Sequence, residues 1–406
     1  MIPVSEAIRI VEAQTPRLRA EAVALAEARG RVLAEDVIAD TDLPPFDRAL
    51  MDGYAVRAAD IERATQSAPV RLSVVGEAAA GAGWRGRLQP GEAVRIMTGA
   101  PVPAGADSVQ QVEVTRETEG GAFVEIERAT TPSQFITKRA TEIKRGEIVL
   151  SAGETINAAM MAALASFGYA RVSVGARPRV SVLATGSELV AVGAQPGADQ
   201  IRDSNTYSLL AYAEAAGASV EHAPLAGDEV ELLQRVIGER AASADVLVLS
   251  GGVSMGVYDF TKTALGALGA EIFFERVSLR PGKPTVFARL GRTLVFGLPG
   301  NPVSVSVTFN LFARTAIRAM QGARDVGLVE EQAVLGREAR GAVERASYLP
   351  AKLHTDARGR LVAEPLRWGG SSDFVAFTRA DALVIIAAGV KLVEAETIVR
   401  VVRLPV

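Results

Sequence analysis

The chain has no cysteine and only two histidines, His222 and His354. The first absence excludes disulfides, zinc–thiolate sites and a cysteine nucleophile, and it fits a reducing compartment. The second leaves a histidine metal cluster or a Ser-His-Asp triad without its parts, so acid–base or metal chemistry falls to carboxylates, lysines and arginines. There is no surplus of positive charge: 44 Lys and Arg stand against 47 Asp and Glu, a formal net charge of −3. That excludes a basic field of the kind that draws nucleic acid or a membrane surface. No uncharged apolar run is long enough to span a bilayer. The opening MIPVSEAIRIVEAQ carries acidic residues and no unbroken apolar core, so it does not read as a signal peptide. The expected location is the cytoplasm.

What is present is ample core material. Hydrophobic residues make up 49 % and charged residues 22 % of 406, a normal globular balance. The length predicts about two to four domains. Residues 3–28 read as one helix, with Ser5 as a candidate cap and Gly30 as its end. The proline-rich stretch DTDLPPFDRALMDGYAVR at 40–57 follows, where Pro44 and Pro45 oppose regular structure. Between 70 and 135, short alternating runs separated by glycine and proline predict a small antiparallel β domain inserted in the chain. A helix is expected over 154–170.

From 178 the pattern changes to continuous apolar strands alternating with helices. Strands are expected at 178–186, 219–225, 244–252 and 293–302, and helices at 204–218, 230–240 and 261–269. That alternation predicts an α/β domain built on a parallel sheet covered on both faces. The last stretch, from about 330, is β-rich and reads as a small barrel or sandwich.

Three glycine turns follow strands of the α/β domain: TGSE at 185–188, SGGVSMG at 250–256 and LPGNPVS at 298–304. In open α/β sheets ligands bind at the carboxyl ends of strands. Glycine admits close backbone approach, and helix N-termini favour anions, typically phosphate. Asn301 suits an N-cap and Pro302 the first helical position. The turn LRPGKPTVF at 279–287 sets Arg280 and Lys283 about a stiff Pro-Gly bend, a fitting anion clamp. Asp52, Glu188, Asp228 and Asp259 stand beside these features, and carboxylates near phosphate turns suggest Mg²⁺. Read singly, each glycine could merely turn the chain and each carboxylate could be a cap or a surface charge.

The segments PPFDRALMDGYAVR, RIMTGAPVP, TGSEL, SGGVSMGVYDFTK, RPGKP and LPGNPVS occur in this order. In that series the chain resembles the MoeA/gephyrin E-domain family over nearly its whole length, most weakly in the last 80 or so residues. The resemblance implies an α/β multidomain fold. A central three-layer molybdopterin-binding domain would occupy 177–325. An inserted β-rich domain carrying the MDGY loop would occupy 41–140. A discontinuous N-terminal helical and extended domain would span 1–40 plus 141–176, and a C-terminal β-barrel 326–406. It further implies a transferase that takes adenylated molybdopterin and molybdate as substrates and, with Mg²⁺ or a similar divalent cation, releases AMP and leaves molybdenum on the dithiolene. An elongated homodimer is implied, its cleft shared between the α/β domain of one subunit and the MDGY domain of the other. The molybdopterin adenylyltransferase and acceptor molybdoenzymes are the implied protein partners.

Carried onto this sequence, the catalytic positions are Asp52, Glu188, Asp228, Asp259 and Lys283, and the metal positions Glu188, Asp228, Asp259 and Glu142. Substrate-binding positions are Thr98, Gly99, Thr185, Gly186, Ser250, Gly251, Gly252, Ser254, Arg280, Pro299, Gly300, Asn301, Pro302, Ser304, Ser371 and Ser372. Catalysis would be positioning and electrostatics, with no covalent nucleophile.

The sequence departs from the family pattern at several points. Ala140-Thr141-Glu142 replaces Gly-Glu-Asp, Ser187 replaces an aspartate, Ala49 a loop serine and Arg280 a lysine. Pro350 stands where an arginine is common, with Lys352 nearby. These changes thin the oxyanion and metal shell and leave two alternatives beside molybdate insertion: a tungstate-inserting paralog, and a molybdopterin-binding carrier or scaffold without turnover.

Overall fold

The structure is a computed structural model, and it describes residues 1–223, 229–252 and 260–405. The chain forms two compact units. One comprises Met1–Glu35, Ala152–Met161 and Arg171–Val406, the other Asp36–Ser151 and Ala162–Ala170.

The first unit is built on a six-stranded sheet. Its elements are β1 (Arg179–Ala184), α1 (Asn205–Ala215), β2 (Ser219–His222), α2 (Val230–Ser243), β3 (Val246–Ser250), α3 (Phe260–Ala267), β4 (Glu271–Phe274), β5 (Val286–Leu290), β6 (Thr293–Leu298) and α4 (Pro302–Thr308). The strand order is β2-β1-β3-β6-β5-β4. β2, β1, β3 and β6 are parallel, while β5 and β4 join antiparallel at one edge. The uniform apolar run of β3 explains its central place. Val246 and Val248 enter one core with Leu209 and Ala213 of α1, and Leu247 and Leu249 enter the other with Leu233 and Ile237 of α2 and Ala264 of α3. A strand with two buried faces cannot alternate polar with apolar. From β1 the chain runs to β2 on one side and returns to β3 on the other, so the strand order reverses between β1 and β3 and opens a crevice at their carboxyl ends.

After α4 the helical rod continues through a π-helical turn, Phe309–Ala313, into Arg314–Met320. The last part of the unit closes a five-stranded barrel: Ala346–Thr355, Leu361–Pro365, Glu330–Leu335, Ile398–Arg403 and Ala382–Ile386, with the first and last strands paired. A short strand, Leu279–Arg280, pairs with Ala346 and Ser347 of the barrel.

The second unit carries another six-stranded sheet, ordered Ser108–Gln111, Gly53–Val56, Glu92–Ile96, Val70–Ala78, Phe123–Ile126 and Thr115–Thr118. The MDGY motif runs straight into its second strand, and Gly53–Val56 is buried throughout.

Four expectations need correction. The expected helix over 3–28 ends at Gln14: Thr15 precedes Pro16 and is extended, as the residue before proline tends to be. Ala20–Ala24 is instead a strand paired with Arg171–Gly175, so pairing across the fold overrides the helical preference of alanine. The inserted β domain is not wholly antiparallel, because Val70–Ala78 and Glu92–Ile96 run parallel. The α/β sheet is mixed rather than parallel. The fourth concerns Asn301, whose side chain makes no capping bond.

Candidate ligand cleft

The sheet ladder continues one step beyond the strands and laces the three glycine turns together. Thr185 N–H donates to Ser250 O at 2.8 Å, and Gly251 N–H donates to Leu298 O at 3.2 Å. The approach is close enough to demand glycine. Gly251 has φ +94°, and a Cβ there would stand 2.3 Å from the Thr185 carbonyl oxygen. The turns bound a cleft of about 1260 Å³ walled by Thr185, Gly186, Ser250, Gly251, Gly252, Pro299, Gly300, Asn301, Pro302 and Ser372, all expected from the sequence. This exceeds the roughly 300–1,000 Å³ of an ordinary small-molecule pocket and suits a ligand with two linked ring systems.

Segment 187–203 forms one wall. Leu189–Val190 and Ile201–Arg202 pair as short parallel strands. They carry Glu188, Ile201 and Arg202 to the cleft. The Glu188 carboxylate folds over Gly186, its oxygens 2.5 and 2.7 Å from where a Cβ of that residue would stand. Ser187 is exposed beside it. Arg202 is the one cation among the described lining residues, and its Nε donates to Ala194 O at 3.1 Å. Asn205 fixes the floor: its Nδ2 donates to Ser250 Oγ at 2.9 Å and to Gly300 O at 2.7 Å, tying α1 to two of the turns. Its buried Oδ1 has no hydrogen-bond partner among the described residues. Asp203, buried alongside, accepts from Thr206 N–H at 3.1 Å and caps α1.

Sequence reasoning missed Arg202, Asn205 and Phe374, which also lines the cleft. Arg202 and Asn205 follow no glycine turn, and Phe374 follows Gly369-Gly370, a turn outside the strands of the α/β domain.

Asn301 occupies the N-cap position of α4, but its side chain makes no capping bond. Its Nδ2 donates to Ser371 Oγ at 2.9 Å, and the Val303 N–H donates to Ser371 O at 3.0 Å. A loop attached to the barrel therefore takes the helix donor that was expected to face an anion. Ser371 thereby acts on the cleft through Asn301, while Ser372 lines it directly. Ser304 is buried within α4, off the cleft wall. Of the RPGKP turn, Pro284 lines the cleft; Arg280 and Lys283 are not among the described lining residues. Pro350 is buried in a barrel strand, and Lys352 is held by Asp381 at 3.1 Å. Asp228, Ser254 and Asp259 lie outside the described residues.

In the other unit the structure joins two of the expected residues. Asp52 Oδ1 accepts from Thr98 N–H at 2.6 Å and from Thr98 Oγ1 at 2.7 Å. These bonds hold the Asp52 carboxyl below its ordinary pKa, because they favour the charged form. Gly99 N–H donates to Ala49 O at 2.9 Å, which ties MTGAP to the MDGY loop. Ala49 itself is buried in a local apolar cluster. Glu142 is paired with Arg48 at 3.1 Å.

Among the described residues no three histidines or carboxylates gather to hold a metal ion. Among the described lining residues the donors are the carboxylates of Glu188 and Asp203, the latter already accepting from Thr206 N–H, with neighbouring hydroxyls. Mg²⁺ commonly binds through one or two carboxylates and the substrate's phosphate oxygens. A carboxylate on the wall of an anion cleft fits that mode, since it would repel a phosphate unless a cation lay between them.

Comparison with known proteins agrees along the whole chain. Residues 2–168 match the model of the MoeA N-terminal region, residues 181–319 that of a probable molybdopterin binding domain, and residues 332–404 that of the MoeA C-terminal region. A molybdopterin molybdenumtransferase of Bacillus subtilis is 35 % identical over 402 residues, covering 98 % of this chain and 93 % of that protein. Molybdopterin molybdenumtransferase 2 of Mycobacterium tuberculosis is 37 % identical over 405 residues, covering 97 % and 98 %. Among solved structures, a molybdopterin biosynthesis MoeA protein of Pyrococcus horikoshii superposes with a TM-score of 0.83 at 31 % identity over 99 % of each chain. On sequence, domain content and fold alike, the chain belongs to the MoeA family of molybdopterin molybdenumtransferases.

Proposed function

We propose that the protein binds adenylated molybdopterin in the cleft at the carboxyl ends of β1, β3 and β6 and inserts molybdate with release of AMP. The observation that carries this reading is the meeting of three glycine turns, with Arg202 on the adjoining wall, in one space large enough for a pterin joined to a nucleotide. The diphosphate would lie along Gly186, Gly251, Gly252 and Gly300. Arg202 would neutralise part of its charge, and Asn205 would hold the turns in register. Glu188, on the cleft wall, would share a magnesium ion with the diphosphate, and Asp228 and Asp259 would join it by family resemblance. Magnesium, when bound, would polarise the phosphoanhydride. The remaining work is fixed geometry around an anion, which needs no nucleophile from the chain.

By the same resemblance the protein acts as a cytoplasmic homodimer, with Asp52 and Thr98 of the MDGY unit completing the cleft across subunits. Lys283 and Arg280 then supply cations for molybdate. AMP release from adenylated molybdopterin, measured with and without molybdate and magnesium, tests the proposal. Release that requires molybdate is the expected result. Release indifferent to any oxyanion, or tight binding without release, would refute insertion; the latter would mark a carrier.

A further inference from the structure

Three aromatic side chains stand among the large hydrophobic residues exposed in the described structure: Phe46, Tyr207 and Phe374. Of these, Phe374 alone lines the cleft, and it is 48 % exposed. An exposed phenyl ring on the wall of a cleft offers a flat apolar face to whatever the cleft holds. Its placement is firm. Phe374 opens the short helix Phe374–Phe377, whose cap Asp373 accepts from Gly369 N–H at 2.7 Å and Ala376 N–H at 3.1 Å. Phe377 anchors the same helix in the main core. The preceding loop is bound to α4 through Ser371. The ring is thus held beside the glycine turns by contacts independent of any ligand.

We propose that Phe374 is a stacking platform for a planar heterocycle of the bound ligand, and so a specificity residue contributed by the barrel region to the α/β cleft. The inference rests on the cleft being the pterin-nucleotide site. Aromatic rings stack on bases without reading their hydrogen-bond pattern, so the same chemistry serves adenine and pterin.

The test measures binding of AMP, of molybdopterin and of ribose 5-phosphate, which keeps the phosphate and sugar but lacks a ring. It uses the full-length wild type, Phe374→Ala and Phe374→Tyr. Phe374→Ala is expected to weaken one ring-bearing ligand by about tenfold and to leave ribose 5-phosphate unchanged; the ligand affected identifies which ring stacks. Phe374→Tyr is expected to retain wild-type affinity. Equal weakening of all three ligands would overturn the proposal, since the residue would then be supporting the loop. Unchanged affinity for both ring-bearing ligands would overturn it while leaving the cleft assignment intact. A wild type that binds neither AMP nor molybdopterin would remove the cleft assignment itself, and the stacking role with it.

Discussion

Replacing Gly251 by alanine tests how closely the first two glycine turns are joined. The residue sits at φ +94°, and its new Cβ would lie 2.3 Å from the Thr185 carbonyl oxygen, where contacts under 3.0 Å are essentially never seen. The turns after β1 and β3 must therefore part by roughly 0.7 Å, against the hydrogen bond that joins Thr185 N–H to Ser250 O. A non-glycine residue held at positive φ costs about 1–3 kcal/mol, and forced expansion of a packed site costs about 1–3 kcal/mol more. The expected destabilisation is about 2–6 kcal/mol. A displacement near 1 Å at a binding site can lower turnover on the order of 100-fold. Gly300→Ala is the matched control for stability: its φ is not strained, and among the described residues its Cβ would meet only the Gly251 Cα at 3.7 Å. Its stability should change by less than about 0.5 kcal/mol. Urea midpoints of the two variants give the answer. If the midpoint of Gly251→Ala matched that of Gly300→Ala, the close approach of the turns would be disproved.

Other expectations follow from single contacts. Arg202→Ala should weaken AMP and ribose 5-phosphate alike, by about tenfold or more, in calorimetric titrations; an effect confined to AMP would assign Arg202 to the base rather than the phosphate. Asn301→Ala breaks the bond to Ser371 and should speed hydrogen exchange at the Val303 amide, so an unchanged rate would show that the barrel loop is held by other means. Lys283→Ala should raise the molybdate concentration needed for AMP release more than it weakens pterin binding; an unaltered molybdate dependence would exclude it from the oxyanion site. Asp42 accepts from the Arg145 N–H and pairs with Arg139, and Asp52 accepts from Thr98, so both carboxyls lie below their ordinary pKa. A depressed folded value stabilises the protein above the unfolded pKa of about 3.9. That contribution is lost as pH falls through the lower folded value. The urea midpoint of the MDGY unit should fall below about pH 4, and less steeply in Asp42→Asn or Asp52→Asn; parallel curves would contradict the assignment.

The α/β cleft was legible because each of its glycine turns follows a continuous apolar strand, a pattern that survives without knowledge of pairing. The pairing itself was not. Ala20–Ala24 carries helix-forming alanines and becomes a strand only because Arg171–Gly175 lies beside it. Val70–Ala78 alternates as any half-buried strand does, and nothing local states that Glu92–Ile96 will run parallel to it. Asn301 looked like a cap because asparagine before proline opens many helices, yet Ser371, 70 residues away in sequence, claims its side chain. Arg202, Asn205 and Phe374 were overlooked for the same reason: their roles come from where the wall at 187–203 and the loop at 369–373 fold back upon the turns.

A crystal structure of the protein with adenylated molybdopterin bound is the most direct measurement. The diphosphate is expected against Gly186, Gly251, Gly252 and Gly300, within reach of Arg202, with a divalent ion beside Glu188. A nucleotide lodged in any other part of the molecule, with these turns left bare, would contradict the assignment.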